Sequence, residues 1–257
     1  MAGDQQASLF GQLCFEKGMV KNTYGTGCFV MMNTGDKPEL NSEKLLATIA
    51  WKIGDTVQYA TEGSIFIGGA LVQWLRDNLG LVKSAPEIEK LAMEVEDNGG
   101  VVIVPAFVGL GSPHWDQFAR GTIFGITRST APAHIARAAL EAIALQVKDA
   151  IDAMAEASGV GIKHLKVDGG ASVNNLLMQI QANLIEKDVV RPQITETTAL
   201  GAALLAGLAV NFWKDQDDIK KRWNVDKTFS PDQSSANKDL LNYWSKAVQR
   251  TRNWIEN

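Results

Sequence analysis

One segment restricts the possible folds more than any other. Residues 133–157 carry Ile135, Ala139, Ala142, Ile143, Val147, Ile151 and Met154 at helical spacing, with Thr130 fitting an N-cap, Pro132 the first turn, and Gly159 and Gly161 the end. A short apolar strand follows at once, Leu165–Val167, then Asp168-Gly169-Gly170, a second helix from Val173 to about Ile185, and another short strand, Asp188–Arg191. A helix feeding a strand, a glycine turn and a further helix belongs to an α/β chain, in which helices cover a sheet.

The N-terminal part has a different rhythm. Residues 5–16 pattern as a helix ending by Gly18. Lys21–Thr23 and Cys28–Asn33 flank Gly25-Thr26-Gly27 as in a tight hairpin, and Leu45–Trp51 and Thr56–Ala60 are separated by Gly54-Asp55. Helical spacing returns in Phe66–Leu79 and Ile88–Val95. A strand-like run, Val101–Ala106, a Gly- and Pro-bearing loop from Gly109 to Arg120, and a strand-like Thr122–Thr127 lead into the long helix. A small-residue helix over Thr198–Val210 and polar-faced helices near 215–223 and 235–255 finish the chain, the last pair carrying Trp213, Trp223, Trp244 and Trp254. An antiparallel group joined to strand–helix–strand–helix predicts a mixed sheet flanked by helices.

Size and charge narrow the function. With 257 residues, 46% of them hydrophobic, the chain has enough for one large domain or two small ones. A net charge of −4 and no long Lys/Arg cluster argue against a nucleic-acid surface. No apolar run reaches the roughly 18 residues of a membrane span, and Met1-Ala2-Gly3-Asp4 does not open a signal peptide. Cys14 and Cys28 do not form a CxxC pair, and His114, His134 and His164 lack a second histidine at metal spacing, so no metal site is expected and the thiols read as free. The expectation is a soluble, cytoplasmic protein.

Three short segments have chemical content. In Val167-Asp168-Gly169-Gly170-Ala171-Ser172-Val173-Asn174, paired glycines let a ligand approach the backbone, and the following helix start offers N–H groups to an anion or a polar ring edge. No Lys follows, as a Walker A loop requires, and GxGxxG is absent; a plain β–α turn fits equally. Tyr24-Gly25-Thr26-Gly27-Cys28 is a turn whose hydroxyl and N–H groups can hold phosphate oxygens, or simply a turn. Asp4, followed by Gln5 and Gln6, sets a carboxylate able to take a proton from an alcohol beside amides able to hold the other hydroxyls; it also fits an N-cap for the first helix.

Their order and wording carry more than each alone. Gly3-Asp4-Gln5-Gln6-Ala7, Lys21 to Gly27, Phe107 to Arg120, Asp168-Gly169-Gly170 with Asn174-Asn175, and Gly121, Gly125-Ile126, His134-Ile135 and Glu141 together resemble the FGGY family of carbohydrate kinases over essentially the whole chain. Within that family, Asp-Gln-Gln resembles the members that phosphorylate glycerol. The resemblance implies an actin-like, ribonuclease-H-like α/β domain, the second of two that close around ATP and substrate, so that 1–257 is a C-terminal domain and the N-terminal kinase domain is its missing partner. It implies Asp4 as general base, with Asp4, Gln5 and Phe29 against glycerol. It also implies Thr26 at the nucleotide phosphates, Gly69 and Gln73 along the nucleotide site, and Gly170 and Asn174 beside the adenosine. Magnesium-ATP would supply the phosphoryl group, and this chain alone would be inactive.

Two other readings fit the same residues: a family member acting on a pentulose or tetritol, and a free-standing nucleotide-binding module. The resemblance further implies a homo-dimer or homo-tetramer. The segment around Pro231–Asn237, where some relatives bind a phosphotransferase regulator, lacks a clear metal-binding carboxylate, which argues against that partner.

Overall fold

Hydrogen bonding between neighbouring strands assembles the centre of the molecule, a computed structural model that describes residues 2–39, 42–232 and 238–255. In chain order the elements are α1 (Asp4–Gly11), β1 (Val20–Tyr24), β2 (Cys28–Gly35), β3 (Leu46–Ile53), β4 (Thr56–Ile65), α2 (Gly69–Asp77), α3 (Glu87–Ala92), β5 (Val102–Val104) and β6 (Thr122–Phe124). They continue with α4 (Pro132–Ser158), β7 (His164–Asp168), a 3₁₀ turn (Gly170–Val173), α5 (Asn175–Ile185), β8 (Asp188–Pro192), α6 (Thr197–Ala209), α7 (Gln216–Lys220), β9 (Val225–Phe229) and α8 (Lys238–Thr251).

Seven strands form one sheet in the order β3-β4-β2-β1-β7-β8-β9, and β5 pairs with β6 separately. Strand β1 is antiparallel to β2 but parallel to β7, and β7 is parallel to β8, so the sheet is mixed as expected. Register then decides the two faces. Lys21 lies opposite Met31 and Lys166, and Thr23 opposite Phe29 and Asp168, so these six residues share a face. Val20, Tyr24, Val30, Met32, Leu165 and Val167 point the other way and are buried in the larger core with α4 and α5. Each large apolar side chain sealed there contributes about 1.5–3 kcal/mol.

Helix α1 lies on the first face. A Cβ on Gly201 of α6 would stand 1.7 Å from the Ala7 carbonyl oxygen, and one on Gly11 would stand 2.2 Å from that of Thr197. Glycine at both places therefore permits backbone contact between α1 and α6. Beyond α1, Phe10, Phe15 and Trp51 close a smaller core, with ring centroids 4.8 and 5.1 Å from Phe10.

Several boundaries differ from the periodic reading. Helix α1 ends at Gly11, because Leu13 takes φ 51 and turns the chain away. Asp4 is already helical, and Gly3 occupies the N-cap. The N-cap of α4 is Ala131 rather than Thr130: the Thr130 hydroxyl accepts from Thr127 N–H, and His134 Nδ1 accepts from Ala131 N–H at 3.0 Å. Helix α2 starts at Gly69 because β4 runs on to Ile65. Strand β9 is an addition to the sequence reading. Trp213 and Trp223 flank α7 in loops rather than riding helices. The segment 233–237, with the expected start of the last helix and most of the regulator segment, lies outside the described residues.

Candidate functional site

The β1–β2 turn is tied to the helix after β4. Gly68 and Ala70 N–H groups both donate to the Thr26 carbonyl, at 2.8 and 3.0 Å, and Gly69 N–H donates to the Gly25 carbonyl at 2.9 Å. The first donors of α2 are thus satisfied by the turn, which fixes one against the other. A Cβ on Gly69 would come within 2.7 Å of the Gly25 carbonyl oxygen, so this approach needs glycine.

The other wall is the turn after β7. Gly169 has φ +85, and a Cβ there would sit 2.7 Å from the Tyr24 carbonyl oxygen; glycine is required twice over. Gly170 is different: a Cβ on it would meet nothing within 4 Å. Asn174 caps α5 by accepting from Leu177 N–H at 2.8 Å, and Glu89 of α3 accepts from Leu176 N–H at 2.9 Å. The start of α5 therefore already has an amide oxygen and a carboxylate on its first-turn donors. Of the two ligands expected at this helix start, an anion or a polar ring edge, the occupied Leu176 and Leu177 donors favour the ring edge.

Between these walls lies a cavity of about 410 Å³, within the roughly 300–1,000 Å³ of small-molecule pockets. All five residues expected at a nucleotide, Thr26, Gly69, Gln73, Gly170 and Asn174, line it. Val72, Ile88, Leu140, Ile143, Ala171 and Leu177 give it an apolar floor, and Arg76 and Glu89 stand at its margin.

Asp4, Gln5 and Phe29 are not in this cavity. They belong to the opposite face of the sheet, beside α1. Asp4 is exposed and accepts from Gln5 N–H at 2.7 Å. Gln5 is half-buried, and its Oε1 accepts from the buried Lys21 ammonium, which also donates to Thr23 Oγ1 at 2.8 Å. Phe29 is half-buried directly opposite Thr23. The chain of polar contacts continues inward, with Ser8 Oγ 3.2 Å from Thr23 Oγ1 and donating to Asp168 Oδ2 at 3.2 Å, where Gln12 Nε2 also donates at 2.8 Å. Asp168 opens the glycine turn of the cavity, so one hydrogen-bonded path joins Gln5 on α1 to the cavity wall. Ser8 and Gln12 had no distinguishing signal in the sequence, because their partner Asp168 is distant along the chain; Lys21 opens the Lys21–Gly27 motif, which does not announce its contact with Gln5.

Among the described residues no group of three or more His, Cys, Asp or Glu is arranged to hold a metal ion, and no helix is long and apolar enough to cross a membrane.

The chain has known relatives throughout its length. The model of the FGGY family of carbohydrate kinases, C-terminal domain, matches residues 20–210. The glycerol kinase of Dichelobacter nodosus is 58% identical over all 257 residues, which cover 52% of that relative, and the glycerol kinase of Burkholderia vietnamiensis is 59% identical with 51% of its length covered. The chain thus spans about half the length of the curated relatives it matches. A crystal structure of Plasmodium falciparum glycerol kinase with ADP superposes with a TM-score of 0.89 at 38% identity, over 99% of this chain and 51% of that one. Xylulose kinase from Lactobacillus acidophilus superposes with a TM-score of 0.84 at 20% identity, over 95% of this chain and 49% of that one, a likeness of fold alone. The mixed sheet and its flanking helices are the expected actin-like ATPase fold.

Proposed function

The chain belongs to the FGGY family of carbohydrate kinases, and from that premise we propose that it is the C-terminal, nucleotide-binding half of an enzyme that transfers the γ-phosphoryl group of ATP to glycerol. The observation that carries the reading is the single cavity lined by Thr26, Gly69, Gln73, Gly170 and Asn174, together with identity near 58% to glycerol kinases over the full chain.

In this reading the apolar floor and the Gly170–Asn174 edge take the adenosine. The Gly25-Thr26-Gly27 turn takes the phosphates, offering the Thr26 hydroxyl and backbone N–H groups. On the other face of the sheet Asp4 accepts the proton of a terminal hydroxyl of glycerol. The freed oxygen pair forms a bond to the γ-phosphorus as the bond to the β-bridging oxygen breaks, giving glycerol 3-phosphate and ADP. Gln5 holds a second hydroxyl and Phe29 faces the carbons. Most of the acceleration comes from positioning and charge stabilisation. Magnesium fits as an ion carried by the nucleotide phosphates, which needs only one or two protein carboxylates and water; bound there, it would offset the charge that develops on the transferring group.

Phosphoryl transfer needs a closed cleft from which water is excluded. Asp4 is exposed in this chain, and we assign the opposite wall to the half that the relatives carry beyond it. The test is a panel of glycerol, erythritol and xylulose, offered with magnesium-ATP to this chain alone and to an enzyme joining it to such a half. Glycerol-dependent ADP release by the joined enzyme only, with glycerol turned over fastest, is the expected result. Robust turnover by the isolated chain, or faster turnover of xylulose or erythritol, would overturn the reading.

A further inference from the structure

Lys21 has no task in the chemistry above, yet its placement is costly. Its residue is 0% exposed on β1. An ammonium is buried only where it is well paired, and among the described residues Lys21 has no carboxylate within 4.0 Å. Neutral oxygens meet it instead: Oε1 of Gln5 and Oγ1 of Thr23. Burial pushes its pKa down, while the more distant carboxylates of Asp168, Glu62 and Asp4 act against that push.

A second buried lysine on the same face shows what an ordinary structural role looks like. Lys166 donates to the main-chain carbonyl of Gln12 at 2.6 Å and lies 4.4 Å from the centroid of the Trp223 ring. Any residue at position 12 would supply that carbonyl. Lys21 instead engages the one functional group by which Gln5 differs from other residues.

An ammonium has donors only, so the amide atom it meets must be the carbonyl oxygen, whatever the positions of unseen hydrogens. The other end of the Gln5 amide, Nε2, is then left as a donor, one residue along α1 from Asp4, whose carboxylate is an acceptor only. We propose that Lys21 is a positioning residue that sets the hydrogen-bond polarity of the alcohol site. By holding Oε1 of Gln5 it fixes Nε2 as a donor in the residue that follows the acceptor Asp4. The pair then suits a polyol that accepts a hydrogen bond through one hydroxyl oxygen while another hydroxyl yields its proton. This inference rests on the glycerol reading of Asp4 and Gln5.

The test has two arms. In the 257-residue chain, the Gln5 side-chain amide is followed by ¹H–¹⁵N NMR in the unsubstituted protein and in Lys21→Met, whose unbranched side chain fills much of the same space without the charge. One ordered amide signal pair, averaged or displaced on substitution while the remaining spectrum keeps its dispersion, is expected. An unmoved signal would overturn the inference. In the joined kinase, Lys21→Met is expected to lower kcat/KM for glycerol about 10- to 100-fold, the scale of a lost charge-assisted hydrogen bond. ADP affinity should stay within about twofold. Made on a Gln5→Ala background, the same substitution should change kcat/KM by no more than about twofold, since a residue acting through Gln5 has nothing left to position. Equal losses in both backgrounds would mean Lys21 is merely structural and would overturn the proposal. The arms separate the two failures: an ordered amide in a joined enzyme that ignores glycerol counts against the glycerol reading, whereas good glycerol turnover with an unmoved amide counts against Lys21.

Discussion

The two faces of the sheet solve different problems. The α4–α5 face buries Val20, Tyr24, Val30 and Met32 from the hairpin and Leu165 and Val167 from β7, together with the polar Asn22 opposite Val30 and Val167; Tyr24 OH donates to Gln181 Oε1 at 2.8 Å. The α1 face buries Lys21, Lys166 and Asp168 within the same strands. One face is built for packing, with the cavity lined by Thr26, Gly69, Gln73, Gly170 and Asn174 formed where its walls part. The other pays for buried charge with a continuous set of polar partners. The lesson is that the cavity should tolerate loss of ligand contacts without unfolding, while the α1 face should lose chemistry when single polar atoms are removed.

The largest effect is expected on the polar face. Asp4→Asn in the joined kinase should lower kcat by about 10²- to 10⁴-fold, the range for a general base, while ADP titration gives an unchanged affinity. Loss of ADP binding in that variant would mean Asp4 is structural and would erase the division between the faces.

Next is the seam between them. Gly169→Val must place a Cβ 2.7 Å from the Tyr24 carbonyl oxygen at φ +85, at a cost of roughly 3 kcal/mol. Thermal melting should register this as a clear fall in Tm; an unchanged Tm would show that the turn is not locked to β1. A smaller effect is expected at the cavity rim. Asn174→Ala removes the cap on Leu177 N–H and should cost about 1 kcal/mol in denaturant unfolding, with a weakened ADP affinity if the cap also borders the adenosine.

The mildest effect concerns the thiols, one in each core. Ordinarily at 9.0, Cys14 is pushed up to about 11 and Cys28 to about 12, chiefly by burial, with Lys166 and Lys21 pulling Cys14 partly back and the Asn22 side chain and Lys21 doing so for Cys28. Both stay neutral in the folded chain at pH 8, so maleimide labelling should be slow until denaturant is added. The raised values also fix a sign. Below about pH 9 neither state ionises and the contribution to stability is whole. Above it the unfolded thiols lose protons that the folded ones keep, so stability falls as pH climbs toward 11 and 12. Rapid labelling of the native chain would show that one core is open.

Sequence periodicity was sufficient where one face is uniformly apolar. The long helix, expected over 133–157, spans Pro132–Ser158, and the hairpin around Gly25-Thr26-Gly27 is present. It failed where periodicity has little to record. Strand β9 exposes four of its five residues and pairs only with β8 in the sheet, so Val225–Phe229 has no apolar alternation to show. Helix α1 ends early because Leu13 adopts a left-handed conformation that its side chain does not announce. That Thr26, Gly69, Gln73, Gly170 and Asn174 line one cavity was foreshadowed by the glycine turns and the family resemblance. The burial of Lys21 was not, although it opens a motif of the resemblance, because a lysine in a strand reads as solvent-facing until Gln5, from a separate element, is seen to meet it.

Calorimetric titration of ADP into the folded 257-residue chain, compared with Gly170→Val, tests the central claim that the cavity is a nucleotide site. Because a Cβ at Gly170 meets nothing within 4 Å, the substitution should leave Tm within about 2 °C while a side chain at the cavity wall weakens binding by about tenfold or more. Saturable one-to-one binding lost in this way is the predicted result. Absence of saturable binding, or full affinity in Gly170→Val, would contradict it.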